Sequence, residues 1–309
     1  MAVAVSCANA RREWAPNRVI DLAAQIGSLR RGRGDPTWAV TGDGSRWRTS
    51  LTPAGPGTQR IRVDPSAGIV EFEAWGPGSG WLCEHGPTLL GADDNASDFE
   101  PPPALRGTWQ RHPGLRVPKS GRVLESLIPA VLGQRITAKE AKAAWRALVM
   151  KYGTEAPISP PGATLIVPPP PDVWRRIPSW EWHAAGVDRT RAQAIMNVLA
   201  IDVEKLNGLP VAESSRCLRM IPGVGLWTAA ETAQRALGDA DAVSYGDYHL
   251  AAQLVYTMTG DRGGTDQEME LLLRPYAGHR FRVQQLVELS VHRMPRRGPR
   301  ITIQDHRRQ

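Results

Sequence analysis

Asp247 is the residue around which the chain's chemistry can be organised. It closes a compact run, Leu218 to Leu250 (LRMIPGVGLWTAAETAQRALGDADAVSYGDYHL), that reads as helix end, glycine hairpin, second helix and loop. Pro222 has no N–H to continue a ladder, so the helix expected over Val211 to Met220 must stop there. In Pro222-Gly223-Val224-Gly225, two glycines separated by one residue let the backbone reach positive φ and leave no Cβ to hold a ligand off. Successive amides then point outward at the start of the next helix, a ready site for a phosphate group. Leu226 to Leu237 is expected as that helix, with Ala229, Ala230, Ala233 and Ala236 suited to close packing. Asp247 lies 22 positions beyond Gly225. Taken alone it is equally an N-cap for a helix over Tyr248 to Tyr256, and one carboxylate can do both jobs. Asp239 and Asp241 are rival carboxylates, but their alternation with Gly238, Ala240 and Ala242 reads as a solvated turn.

The string IPGVGLWTA, followed by the carboxylate of YGDYHL, resembles the helix-hairpin-helix DNA glycosylase superfamily, and within it the 3-methyladenine DNA glycosylase II (AlkA-like) branch. The resemblance implies a catalytic role for Asp247, a grip on DNA phosphate by Pro222, Gly223, Val224, Gly225 and Thr228, and a base pocket of Trp227, Glu231, Tyr245 and Tyr248. Glu231 stands where AlkA-like enzymes have a tyrosine, and Ser290 falls about where a later pocket tryptophan is expected. Substrate range is therefore not inherited from the family. The family's GQ-hydrophobic pattern matches Leu132-Gly133-Gln134-Arg135-Ile136, which makes Gln134 or Arg135 the side chain that fills the gap left by a flipped base. Arg280 and Arg282 fall on the helix that the family packs beside the site, as phosphate contacts or as charge partners of Asp247 and Glu231. Strand-cutting relatives use a lysine near the start of the second hairpin helix. Trp227 stands there in this chain, and Lys205 is its last lysine, so a monofunctional hydrolase is expected.

The chemistry implied is hydrolysis of an N-glycosidic bond in an extruded, alkylated purine. Positive charge builds on the sugar, and a carboxylate in a low-dielectric cleft stabilises it; extrusion costs a few kcal/mol, and a cationic base gains from an aromatic wall. No metal and no cofactor are expected, apart from a monovalent cation at the hairpin. Two alternatives stay open: a non-catalytic helix-hairpin-helix DNA-binding protein, and a glycosylase for oxidised or deaminated bases.

Composition agrees with such a partner. In 309 residues, 38 Lys+Arg against 31 Asp+Glu give a net charge of +7, a moderate excess that favours a polyanion. Cys7, Cys83 and Cys217 match no zinc or disulfide spacing. No signal peptide or membrane span is apparent, so a cytosolic monomer acting on double-stranded DNA is expected.

The elements that must position these residues suggest an α+β protein: a small N-terminal α/β domain, antiparallel sheet plus helix, followed by a mostly helical catalytic domain. Residues 1–17 read as a loose arm, 18–112 as the α/β domain, 113–295 as the helical domain and 296–309 as a basic tail. Strands are expected at Val19 to Leu22, Thr37 to Thr41, Trp47 to Leu51, Gln59 to Val63 and Ile69 to Trp75. Ser120 should cap a helix through Leu132, and capping boxes open helices at Thr137 and Thr265.

Overall fold

The computed structural model describes residues 8–292 and 294. An antiparallel sheet of spatial order β1-β5-β4-β3-β2 is built from β1 (Ala10–Trp14), β2 (Trp38–Val40), β3 (Arg46–Thr52), β4 (Gly55–Asp64) and β5 (Ile69–Trp75). β4 begins earlier than its alternating pattern suggests, because Gly55-Pro56-Gly57 looks like a turn. Gly57 answers to packing: a Cβ there would come within 2.6 Å of Leu82 Cδ1, on the helix that crosses the sheet.

Two expectations are corrected in this half. Val19 to Leu22 is not a strand. Asp21 accepts hydrogen bonds from the amides of Ala23 (2.9 Å) and Ala24 (3.2 Å) and caps α1 (Leu22–Ile26); so short an apolar run has no period that separates strand from helix. The loose arm over 1–17 is in part β1, held against β5 with Arg11 3.3 Å from Glu71. Its charges suit an edge strand and hide the alternation. Residues 1–7, Cys7 among them, lie outside the described residues, as does the expected basic tail at 296–309.

α2 (Ser79–Glu84) and α3 (Gly86–Leu89) cover one face of the sheet, burying Ile61, Val70, Phe72, Leu82 and Leu89 in one apolar cluster. The proline-bearing connector that follows contains α4 (Arg106–Arg111), and its Phe99, Leu105 and Leu115 belong to a core shared with the C-terminal helices.

The helical half holds α5 (Val123–Leu132), α6 (Ala138–Tyr152), α7 (Pro171–Arg176), α8 (Ser179–Ala184), α9 (Arg189–Leu199), α10 (Val211–Met220), α11 (Leu226–Thr232), α12 (Leu250–Thr259), α13 (Asp266–Leu273) and α14 (Arg280–Leu289). Between α6 and α7 a short hairpin, β6 (Thr154–Glu155) with β7 (Ile166–Val167), is tied to the sheet by Thr49 Oγ1 donating to Ile166 O at 2.6 Å. Both capping boxes form. The start of α5 differs from expectation. The Glu204 carboxylate, rather than Ser120, accepts from the amides of Val123 and Leu124, at 3.1 Å each. Apolar residues of α5–α11 make one cluster, and those of α12–α14 with the connector make a second. No helix among the described residues is long and apolar enough to cross a membrane.

Candidate active site

The hairpin between α10 and α11 forms as the glycines suggest, with unequal roles for the two. Gly223 has φ +92° and its Cβ would meet the Ala194 Cβ at 2.5 Å, so both backbone conformation and packing require glycine. Gly225 is extended (φ −88°, ψ −176°), and a Cβ there would touch nothing in the protein within 4 Å. Pro222, Gly223 and Gly225 are exposed, whereas Val224 and Thr228 are buried. Gln134 locks the turn from outside: its Nε2 donates to Gly223 O and to Thr228 Oγ1, each at 2.8 Å. Asn197 Nδ2 donates to Pro222 O at 2.9 Å. Thr228 therefore supports the hairpin, and its buried hydroxyl does not reach outward to a phosphate.

α11 keeps α-helical bonding only to Thr232. A turn of π-helix over Ala233–Leu237 completes it, and Gly238 (φ +73°) ends it; such turns often mark functional sites because they re-aim side chains. The loop then returns to Asp247, which is half-buried at the start of α12. Asp247 Oδ1 accepts from the amides of His249 (2.9 Å) and Leu250 (3.0 Å), and Oδ2 accepts from the Trp227 indole Nε1 at 3.1 Å. Both readings of this residue hold: it caps α12, and the cap fixes the second oxygen against the hairpin helix.

A cavity of about 200 Å³ is lined among others by Ala23, Ser28, Arg235, Gln285 and Glu288, the last within electrostatic reach of Asp247; a single water needs only about 15 Å³. It lies where α1 of the sheet half meets α11 and α14. Glu231 is 15% exposed, paired with Arg235 at 2.9 Å and accepting from Ser244 Oγ at 2.7 Å. Arg235 in turn donates to Ser28 O at 3.3 Å. Glu288 accepts from Gln284 Nε2 at 3.0 Å. Desolvation in this concave setting raises its pKa, with the carboxylates of Glu231 and Asp247 adding to the rise and Arg235 opposing it. The Gln285 Oε1 is buried without a hydrogen-bond partner.

The arrangement of sheet and helices is shared with proteins of known structure. The model superposes on the 3-methyladenine DNA glycosylase from Archaeoglobus fulgidus with a TM-score of 0.74 over 89% of this chain and 97% of that one, at 15% identity. The fold is that of the helix-hairpin-helix DNA glycosylases. The 8-oxoguanine glycosylase/lyase of Clostridium acetobutylicum, solved with double-stranded DNA, has the same glycosylase fold with a TM-score of 0.65 over 87% and 90% of the two chains, at 10% identity. By sequence, the chain is 30% identical over 152 residues to the "Probable bifunctional transcriptional activator/DNA repair enzyme AlkA" of Mycobacterium tuberculosis. That match takes in 48% of this chain and 30% of the relative's length. No protein-family model matches the chain.

Within the glycosylase fold several expected site residues are placed differently. Arg282 is fully buried and bonded twice to Asp94 at 2.8 Å, so it meets neither phosphate nor Asp247. Arg280 pairs with Asp241 through its Nε at 2.8 Å and through Nη2. Asp241 is thus no solvated turn residue, and neither arginine neutralises Glu231. Tyr248 is 83% exposed with its ring edge-on to His249, and Tyr245 packs against the C-terminal core; neither lines the cavity. Trp227 is half-buried with its ring end against Gly133, where a Cβ would sit 3.2 Å from it, so its first role is to hold Asp247. Ser290 is buried. Sequence reasoning missed Arg235, Gln285 and Glu288. The signal for the last two was a group of polar residues, Gln284, Gln285 and Glu288, at i, i+1 and i+4 spacing on a helix otherwise rich in buried residues, with Gln284 and Glu288 on one face.

Proposed function

We propose that this protein is a monofunctional DNA glycosylase that extrudes a damaged base from duplex DNA and hydrolyses its N-glycosidic bond with Asp247. The observation that carries this reading is the Asp247 carboxylate itself, one oxygen on the α12 amides and the other on Trp227, beside a hairpin whose exposed glycines can approach a sugar-phosphate strand. The carboxylate stabilises positive charge on the sugar as the base departs, and orients water for the other face. Gln134 is held by the hairpin, whereas Arg135 is exposed and is the one described non-glycine residue at positive φ, +56°. Arg135 is therefore the side chain offered to the space an extruded base leaves. With Trp227 rather than a lysine near the start of α11, no Schiff base forms from that position and the product is an intact abasic strand.

The cavity favours a cationic leaving base. Glu288 and the unpartnered Gln285 oxygen present acceptors, and the pairing with Glu231 offsets the positive charge of Arg235. An N-alkylated purine brings positive charge and exocyclic donors to such a wall. The test is single-turnover base release across duplexes that each carry one alkylated, oxidised or deaminated base. Release confined to the alkylated purines, with strand scission only after alkali, is expected. Release of 8-oxoguanine alone, or strand scission without alkali, would overturn the reading.

Two further outcomes are expected. Gly225→Ala leaves the melting temperature within the range of a surface change, about 0.5 kcal/mol, while duplex affinity falls, because the added methyl meets only what docks there. Gly223→Ala costs about 1–3 kcal/mol of stability, read by denaturant unfolding. The second concerns pH. Because burial raises the Glu288 pKa, its negative charge is gained only as pH rises through that raised value, and release of a cationic base should climb with it. Glu288→Gln should flatten this limb; an unchanged profile in that variant removes Glu288 from base recognition.

A further inference from the structure

Ser28 lines the cavity beside α14, and its carbonyl accepts from Arg235 at 3.3 Å. The six residues after it, Leu29-Arg30-Arg31-Gly32-Arg33-Gly34, hold three arginines and no acid. This loop leaves the sheet half and lies along α6. Gly32 (φ +88°) passes so close to Lys142 that a Cβ there would sit 3.0 Å from its Cδ, and a Cβ on Gly34 would meet Arg146 Nη1 at 2.9 Å. The glycines thus bring Arg33 beside two further cations. Asp35, the first acid after the loop, is turned inward: it is 4% exposed and accepts from Thr37 Oγ1 at 2.8 Å and Trp145 Nε1 at 3.1 Å.

α6 carries Lys139, Lys142 and Arg146 at three- and four-residue steps, so all three share one face. Each is exposed, as is Arg33. The carboxylate of α6, Glu140, is committed to the capping box, accepting from the Thr137 amide at 2.9 Å and Thr137 Oγ1 at 2.6 Å. Among the described residues, the side chains of Arg33, Lys139, Lys142 and Arg146 make no hydrogen bond and no ion pair. Lys151, at the far end of the same helix, is by contrast paired with Glu181 at 2.6 Å. Like charges gathered on one surface repel, and a polyanion laid across them removes that cost. The strip also begins at the site: Arg135 precedes α6, and Gln134 beside it is bonded to the hairpin. From Lys139 to Arg146 the helix rises about 10 Å, the axial rise of about three nucleotides of one DNA strand.

We propose that Arg33, Lys139, Lys142 and Arg146 form a second contact with duplex DNA, following phosphates beyond the gap that Arg135 enters, and that the sheet half thereby joins the DNA interface. This rests on the reading of the protein as one that binds duplex DNA, and is independent of the chemistry at Asp247. The test is the affinity of the full chain for an undamaged duplex, measured across a range of salt concentrations. Each phosphate neutralised adds about 0.9 to the slope of log affinity against log salt. Lys142→Gln combined with Arg146→Gln should therefore lower that slope by about 1.8, so that the advantage of wild type shrinks about tenfold between about 50 and 200 mM salt. Lys139→Gln alone should lower it by about 0.9. The control is Lys205→Gln combined with Arg262→Gln, which removes the same charge elsewhere. Lys205 follows Glu204, which caps the end of α5 remote from Arg135, and Arg262 lies just beyond the end of α12 remote from Asp247. The control slope should match wild type. Equal slopes for wild type and the Lys142 and Arg146 double variant, or an equal fall in the control, would overturn the proposal. Base release from an alkylated duplex, assayed separately, distinguishes the two failures: a changed slope without release fails the glycosylase reading alone, and release with an unchanged slope fails this one alone.

Discussion

Arg282→Ala should cost about 3–5 kcal/mol of folding stability, the range for removing one partner of a buried ion pair. The Arg282 side chain is fully buried, donates twice to Asp94 at 2.8 Å and once to Asn95 O at 3.3 Å, and sits 5.5 Å from the centre of the Phe99 ring. Asp94, whose side chain is 6% exposed, would keep the Val117 amide at 2.9 Å and the more distant charges of Arg18 and Arg116, but no direct ion pair. This pair adds a buried polar tie to the apolar packing of α14 on the connector, so the helix that carries Gln285 and Glu288 into the cavity loses part of its anchorage. Denaturant unfolding reads the loss directly. The double variant Arg282→Met with Asp94→Leu should recover much of it, because no unpaired charge is left behind. A single-variant cost below about 1 kcal/mol would show that the pair does not hold the C-terminal lobe.

Legibility from sequence followed the range of the interactions. Local signals were readable: the Thr137 and Thr265 capping boxes, the stop at Pro222, the hairpin, and the strands over β2, β3 and β5 each follow from a few consecutive residues. β1 was not, because its pairing is with a strand about sixty positions away and its charges break the alternation. Asp247 was identified together with its capping role, since both rest on the same short loop and the helix after it. The partners of Arg280 and Arg282 were missed for the opposite reason. Asp241 and Asp94 reach them from 39 and 188 positions away, and no spacing rule records such a meeting. The base pocket was read as aromatic by resemblance, yet Tyr248 faces solvent and the cavity wall is mixed, with Glu288, Arg235 and two glutamines beside Phe281. Its polar residues come from α14, from the π turn after α11 and from Ser28 just beyond α1, segments that meet only in the folded chain.

The account's other large effect is at Asp247. Asparagine there keeps an oxygen for the His249 and Leu250 amides, so the cap and the start of α12 survive. Its Nδ2 would face the Trp227 N–H, donor against donor, at a cost of about 1 kcal/mol. What it cannot supply is negative charge beside the anomeric carbon. Losing a preorganised electrostatic partner of a transition state lowers a rate by about 10²–10³-fold, whereas ground-state contact with the strand, made by the hairpin, is unaffected.

The measurement that bears most directly on this is the single-turnover rate of base release from an alkylated duplex, taken for wild type and Asp247→Asn with the duplex affinity of each determined alongside. A fall of about 10²–10³-fold in rate at nearly unchanged affinity and melting temperature is the predicted result. Equal rates for the two proteins, or a loss of rate matched by an equal loss of affinity, would contradict it.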